Sequence, residues 1–137
     1  MPLSFEQTAG VDVVRVLDAK LTYPTLSPFF TSVLELVERG ARKVVIDLEA
    51  VSFIDSAAIG CLVDVHRLLK DKEGAVKLAG MQTRVETMLT MAGLGRIFEL
   101  HRRTAEAIAA FGGWPEPKDA SSGGGTGAGP SRPGTKG

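Results

Sequence analysis

The eighteen residues 43–60, Lys43-Val44-Val45-Ile46-Asp47-Leu48-Glu49-Ala50-Val51-Ser52-Phe53-Ile54-Asp55-Ser56-Ala57-Ala58-Ile59-Gly60, decide the fold class. Their first third is a short apolar run, the pattern of a strand buried on both faces. A turn over 52–55 then leads into a helix. Ala58, Cys61, Leu62, Val65, Leu68 and Leu69 form its core stripe, with Asp64, Arg67 and Lys70 turned to water. Lys72-Glu73-Gly74 closes that helix, and 75–79 reads as the next strand. Strand, helix and strand in succession imply parallel pairing through a right-handed crossover.

Toward the N-terminus, residues 3–8 and 11–17 flank Ala9-Gly10, which reads as a hairpin turn. Val11, Val13, Val14 and Val16 give the second of these runs the β-branched density of a pleated surface. The period then changes: Leu26, Phe29, Phe30, Val33 and Val37 form one helical stripe, with Thr25 or Ser27 as cap, Pro28 in the first turn and Gly40 as the stop. Toward the C-terminus, Thr83-Arg84-Val85-Glu86 has capping-box spacing. The helix it opens carries Val85, Met88, Leu89 and Ala92 and stops at Gly93. Residues 97–100 read as a last short strand, and 104–111 as a final helix presenting Ile108 and Phe111. The expected order is β-β-α-β-α-β-α-β-α: an α/β domain with a mixed, mainly parallel sheet of about five strands and four helices. It spans 1–111. Residues 112–137, rich in Gly, Pro and Ser and holding Trp114, read as a disordered tail with little to bury.

Composition narrows the function classes. Sixteen basic residues balance sixteen acidic ones, so no long-range field gathers nucleic acid or an anionic membrane surface. One cysteine, Cys61, excludes an intrachain disulfide and a multi-thiolate zinc site; within its apolar run it reads as a small hydrophobe. The N-terminus carries no secretory pattern, and no run reaches the ~18 apolar residues of a membrane span, so the cytoplasm is the expected compartment. His66 lies at the edge of a helical stripe and reads as a packed residue. Neither it nor His101 pairs with carboxylates at metal-ligand spacing, and no phosphate-binding glycine loop is present; a cofactor is not expected.

The segment most suggestive of function is the turn at Asp55-Ser56. It joins a buried strand to a helix, where α/β scaffolds place functional loops. Asp55 or Ser56 can cap the helix, and the small Ala57 and Ala58 with Gly60 leave its start sterically open. Ser56 has two readings. It is a helix cap contributing about 1 kcal/mol, or it is a phosphorylation site whose phosphate, with a charge of about −1.5 to −2, sits at the positive helix end. A third reading, Ser56 as an enzyme's nucleophile, lacks a neighbouring base in the sequence.

Residues 43–60 resemble the signature of STAS domains, shared by sulfate transporters and anti-sigma factor antagonists: an apolar strand ending in Asp47-Leu48, then Phe53-Ile54-Asp55-Ser56-Ala57-Ala58-Ile59-Gly60. Met91-Ala92-Gly93-Leu94-Gly95-Arg96-Ile97-Phe98 is similar to the family's entry into its last strand, and the resemblance extends over 3–111. It implies a non-enzymatic, free-standing bacterial anti-sigma factor antagonist. Such a protein binds a serine-kinase anti-sigma factor (an ATPase) and frees the sigma factor. The kinase phosphorylates Ser56 and a serine phosphatase restores it, in stress-responsive control of transcription. Asp55, Ser56, Ala57, Ala58, Ile59 and Thr22 are the partner-binding residues so implied. The alternative within the family is a non-phosphorylated adaptor subunit of a lipid ABC-type transport or signalling assembly. Two departures stand out: Ala57-Ala58 replaces the family's frequent Ser/Thr-Gly, and Thr22 replaces an acid.

Overall fold

The structure, a computed structural model, describes residues 2–113. Strands β1 (Leu3–Thr8) and β2 (Val11–Val16) form the expected hairpin, with Thr8 opposite Val11. The two residues between them, Ala9 and Gly10, both have positive φ, 54° and 78°, as a two-residue turn matched to strand twist requires. β2 then pairs in parallel with β4 (Lys43–Asp47), β4 with β6 (Ala75–Ala79), and β6 with β7 (Leu100–His101). The result is a five-stranded sheet in the order β1-β2-β4-β6-β7.

After β2 each new strand is added on the same side, so right-handed crossovers put the connecting helices on one face. These are α1 (Tyr23–Glu38), α2 (Ser56–Asp71) and α3 (Thr83–Met91). Against this face Val14, Val16, Val44, Ile46, Val76 and Leu78 point from the sheet, meeting Phe29, Val33, Leu62, Val65, Val85 and Leu89 from the helices. The opposite face is smaller: Val11, Val13, Val45 and Ala79, covered by Ala107 of α4 (Thr104–Ala109) and by Phe111. Residues 43–47 are thus buried on both faces, as the apolar run Val44-Val45-Ile46 at their centre implies.

Among the described residues three charged side chains are buried, Lys43, Asp47 and Lys77. Asp47 Oδ2 accepts from Arg15 Nε and from the Thr104 hydroxyl, both at 3.0 Å, and Oδ1 accepts from the Glu49 amide at 2.8 Å. Lys77 Nζ reaches Glu99 at 2.8 Å and lies 4.6 Å above the Phe111 ring. Both groups are satisfied in the way burial of charge demands.

Several boundaries depart from the expectations. The residues expected as a plain turn contain a two-residue strand, β5 (Phe53–Ile54), parallel to β3 (Lys20–Leu21) in a separate ribbon. α1 begins at Tyr23, ahead of the expected caps Thr25 and Ser27. Thr22 holds the cap position without a side-chain bond, and Pro28 lies inside the helix, beyond its first turn. The capping box on Thr83 does not form, because Thr83 is already helical; Gln82 precedes it and donates instead to the Glu49 carbonyl at 2.9 Å. In place of a strand over 97–100, a 3-10 turn (Leu94–Arg96) entered through left-handed Gly93 precedes the shorter β7. The expected tail, apart from Gly112 and Gly113, and Trp114 with it, lie outside the described residues.

Candidate functional site

The β3–β5 ribbon brings the two halves of the site together. Lys20 pairs with Phe53 and Leu21 with Ile54, and both Leu21 and Ile54 are fully buried. Those two anchors fix where each chain emerges: Thr22-Tyr23 into α1 and Asp55-Ser56 into α2. Ser52 adds a further tie, its amide donating to the Ala19 carbonyl at 2.8 Å.

Asp55 holds the cap position of α2 in extended conformation, φ −108° and ψ 178°. Its Oδ1 accepts from the Ala58 amide at 2.8 Å, the ordinary cap bond. Its Oδ2 accepts from the Tyr23 amide at 2.9 Å, thirty-two residues away in sequence. One carboxylate therefore closes the N-termini of two helices. Hydrogen bonds from the Tyr23 amide first, and the Ala58 amide second, hold its pKa below the usual aspartate value.

With Asp55 as the cap, Ser56 is the first residue of α2 and its side chain is exposed. Of the residues expected to keep the helix start open, Ala57 is half-buried and Ala58 is fully buried, packed into the core. Ala58 thus supports the turn from within. Ile59 is half-buried and Gly60 is exposed, with open space where a Cβ would stand. Thr22, half-buried, flanks the site from the α1 side. Two residues not singled out from the sequence join it: Tyr23, 74% exposed, and Phe53, 41% exposed. Phe53 stands in the quoted signature, but only its pairing with Lys20 shows that it points outward while Ile54 points in.

The remaining candidates are structural. Cys61 is partly buried, and burial, with a smaller contribution from Asp64, pushes its thiol up to about 11. It stays protonated at neutral pH. His66 packs edge-on against Phe98 with ring centroids 5.4 Å apart, and burial followed by Lys70 and Arg67 lowers its pKa. Ten residues along α2 from Ser56, it stands about 15 Å away along the helix axis, too far to serve as a base for that hydroxyl. Among the described residues no group of His, Cys, Asp and Glu is arranged to hold a metal ion, and no helix is long and apolar enough to cross a membrane.

Comparison with known proteins places this geometry in context. An anti-sigma F factor antagonist of Paenibacillus polymyxa is 24% identical over 109 residues, 79% of this chain and 92% of that protein. The crystal structure of an anti-sigma factor antagonist from Mycobacterium paratuberculosis superposes with a TM-score of 0.73 at 24% identity, covering 80% of this chain and 92% of that one. The Bacillus cell fate determinant SpoIIAA in its phosphorylated form gives 0.62 at 20% identity, covering 80% and 98%. The structural likenesses establish a common fold. The family model for the STAS domain matches residues 3–107, and the chain belongs to that family.

Proposed function

We propose that this chain is a cytoplasmic anti-sigma factor antagonist that binds a serine-kinase anti-sigma factor and so releases a sigma factor, with Ser56 as its reversible phosphoacceptor. The observation that carries the proposal is the placement of Ser56: an exposed hydroxyl on the first residue of α2, on a turn fixed by Asp55 and bordered by small residues. The relatives support the role, being named anti-sigma factor antagonists, and one neighbour of the same fold is a protein with a phosphorylated form.

In the kinase step the Ser56 oxygen attacks the γ-phosphorus of ATP. The new O–P bond forms as the bond to ADP breaks, and the hydroxyl proton passes to a base of the kinase. The product carries a charge of about −1.5 to −2 where a small neutral group stood. Helix α2 tolerates it at its positive end, but a partner surface shaped for a hydroxyl does not. A serine phosphatase hydrolyses the ester and restores binding. In this reading the chain is the substrate of the chemistry, and the kinase supplies the base.

Incubation with the serine-kinase anti-sigma factors of the same genome and ATP is expected to add one phosphate, absent in Ser56→Ala. Ser56→Glu is expected to bind the kinase about tenfold or more weakly, as a misplaced charge at an interface does. Equal affinity of the Glu variant and the wild type would refute the switch. Stable co-purification with a membrane-bound transport ATPase, independent of position 56, would point instead to an adaptor role.

A further inference from the structure

The two-helix grip of Asp55 has a consequence that the exposure of Ser56 alone does not. In the first turn of α1 each backbone donor has a fixed fate. Pro24 has no N–H, and the Thr25 amide donates to the Thr22 carbonyl at 2.9 Å. The Tyr23 amide, which no intrahelical acceptor can reach, donates to Asp55 Oδ2. The start of α1 is therefore held to the start of α2 through one carboxylate oxygen, while the other oxygen caps α2 at Ala58.

We infer that Asp55 is the relay of the switch: a phosphate on Ser56 breaks its bond to the Tyr23 amide and so loosens the first turn of α1. This rests on Ser56 being the phosphoacceptor. The phosphate adds a dianion on the residue next to the Asp55 carboxylate, and like charges so close repel. It also competes for the same free amides at the start of α2 that Asp55 now engages. Of the two bonds Asp55 makes, the one to Ala58 lies within its own helix turn, while the one to Tyr23 spans two separate elements. The repelled carboxylate leaves both amides; the phosphate takes its place as acceptor for the Ala58 amide of α2, whereas nothing replaces the acceptor for Tyr23. Tyr23, 74% exposed and bonded through its amide to the Asp55 turn, is the kind of aromatic side chain on which binding energy concentrates. Modification thus alters a partner contact on α1 as well as the one on α2.

The test needs no partner. Phosphoserine is installed at position 56 during translation, and amide hydrogen exchange is compared with the unmodified protein. Protection of the Tyr23 amide is expected to fall about tenfold or more, with the Ala58 amide changed less than about threefold and the core amide of Ile46 unchanged. Asp55→Asn separates the two bonds without any phosphate. Its single carbonyl oxygen still caps Ala58, and Tyr23 loses its acceptor, so the same selective loss at Tyr23 is expected. Undiminished protection of Tyr23 in the phosphoprotein overturns the relay, as does a loss shared by Ile46, which marks general loosening. If the phosphate weakens kinase binding while Tyr23 stays protected, the switch at Ser56 stands and the relay falls.

Discussion

At the scale of single residues, Asp55 is the most consequential side chain of the site, and its electrostatics are testable apart from any partner. Both of its oxygens accept amide hydrogens, which favours the charged form and lowers its pKa from the ordinary 3.8. A carboxylate whose folded pKa lies below its unfolded one stabilises the fold above the unfolded value, and loses that contribution as pH falls through the folded one. Asp55→Asn has no such titration. The wild type is therefore expected to be the more stable at neutral pH, with the gap narrowing as pH falls below about 4. Urea unfolding of both proteins across that range checks it, and a gap independent of pH would refute it. That one carboxylate serves two helices was not legible in the sequence. Asp55 reads as a cap because it precedes an apolar helical stripe, but its partner Tyr23 is distant in the chain, and only the β3–β5 ribbon makes them neighbours.

At the scale of elements, the joint between α2 and β6 shows how tightly the scaffold behind the site is closed. The Gly74 amide donates to the Leu69 carbonyl at 2.7 Å, and the next amide, Ala75, donates to Arg42 at 2.9 Å. A Cβ at Gly74 would stand 2.4 Å from the Arg42 carbonyl oxygen and 3.0 Å from Leu69 Cδ1. Since the first of these is backbone, relief requires shifting the chain that leads into β4. Gly74→Ala is expected to cost about 1–3 kcal/mol in urea unfolding, and a variant as stable as the wild type would show that the joint gives way easily. This closing glycine was legible as the end of a helix, and the long elements around it were legible for a related reason. The stripes from Leu26 to Val37 and from Ala58 to Leu69 repeat over several turns, so their period declares itself. Lys20–Leu21 and Phe53–Ile54 are two residues each, too short for an alternation to repeat. The helix starts slipped for a local reason. Thr22, Thr25 and Ser27 are all chemically able to cap, and Pro24 settles the matter by fitting only the first turn.

At the scale of the whole molecule, the sheet is covered unequally. Among the described residues, three helices lie on the face that carries the site, and a single six-residue helix, α4, covers the other. So short a helix is not stable alone and depends on what it touches. Its apolar contribution is Ala107, half-buried Ile108 and, just beyond the helix, Phe111. Its polar anchor is Thr104, whose hydroxyl donates to the buried carboxylate of Asp47 at the end of β4. Removing that donor with Thr104→Val leaves Asp47 its bonds from Arg15 and the Glu49 amide, so the carboxylate is not stranded. The cost is then that of one hydrogen bond to a charged acceptor, about 1.5–3 kcal/mol, and not the larger penalty of an abandoned buried charge. Because the bond joins α4 to the sheet, that cost is expected to fall on docking of α4. Hydrogen exchange at Ala107 and Ile108 should quicken in the variant while Val44 and Ile46 in β4 keep their protection. Were both sets to quicken together, α4 would belong to the same cooperative unit as the sheet, and the two faces would be coupled. The selective result would leave the Asp55-Ser56 turn undisturbed, since its buried anchors, Leu21, Ile54 and Ala58, pack on the opposite, three-helix face.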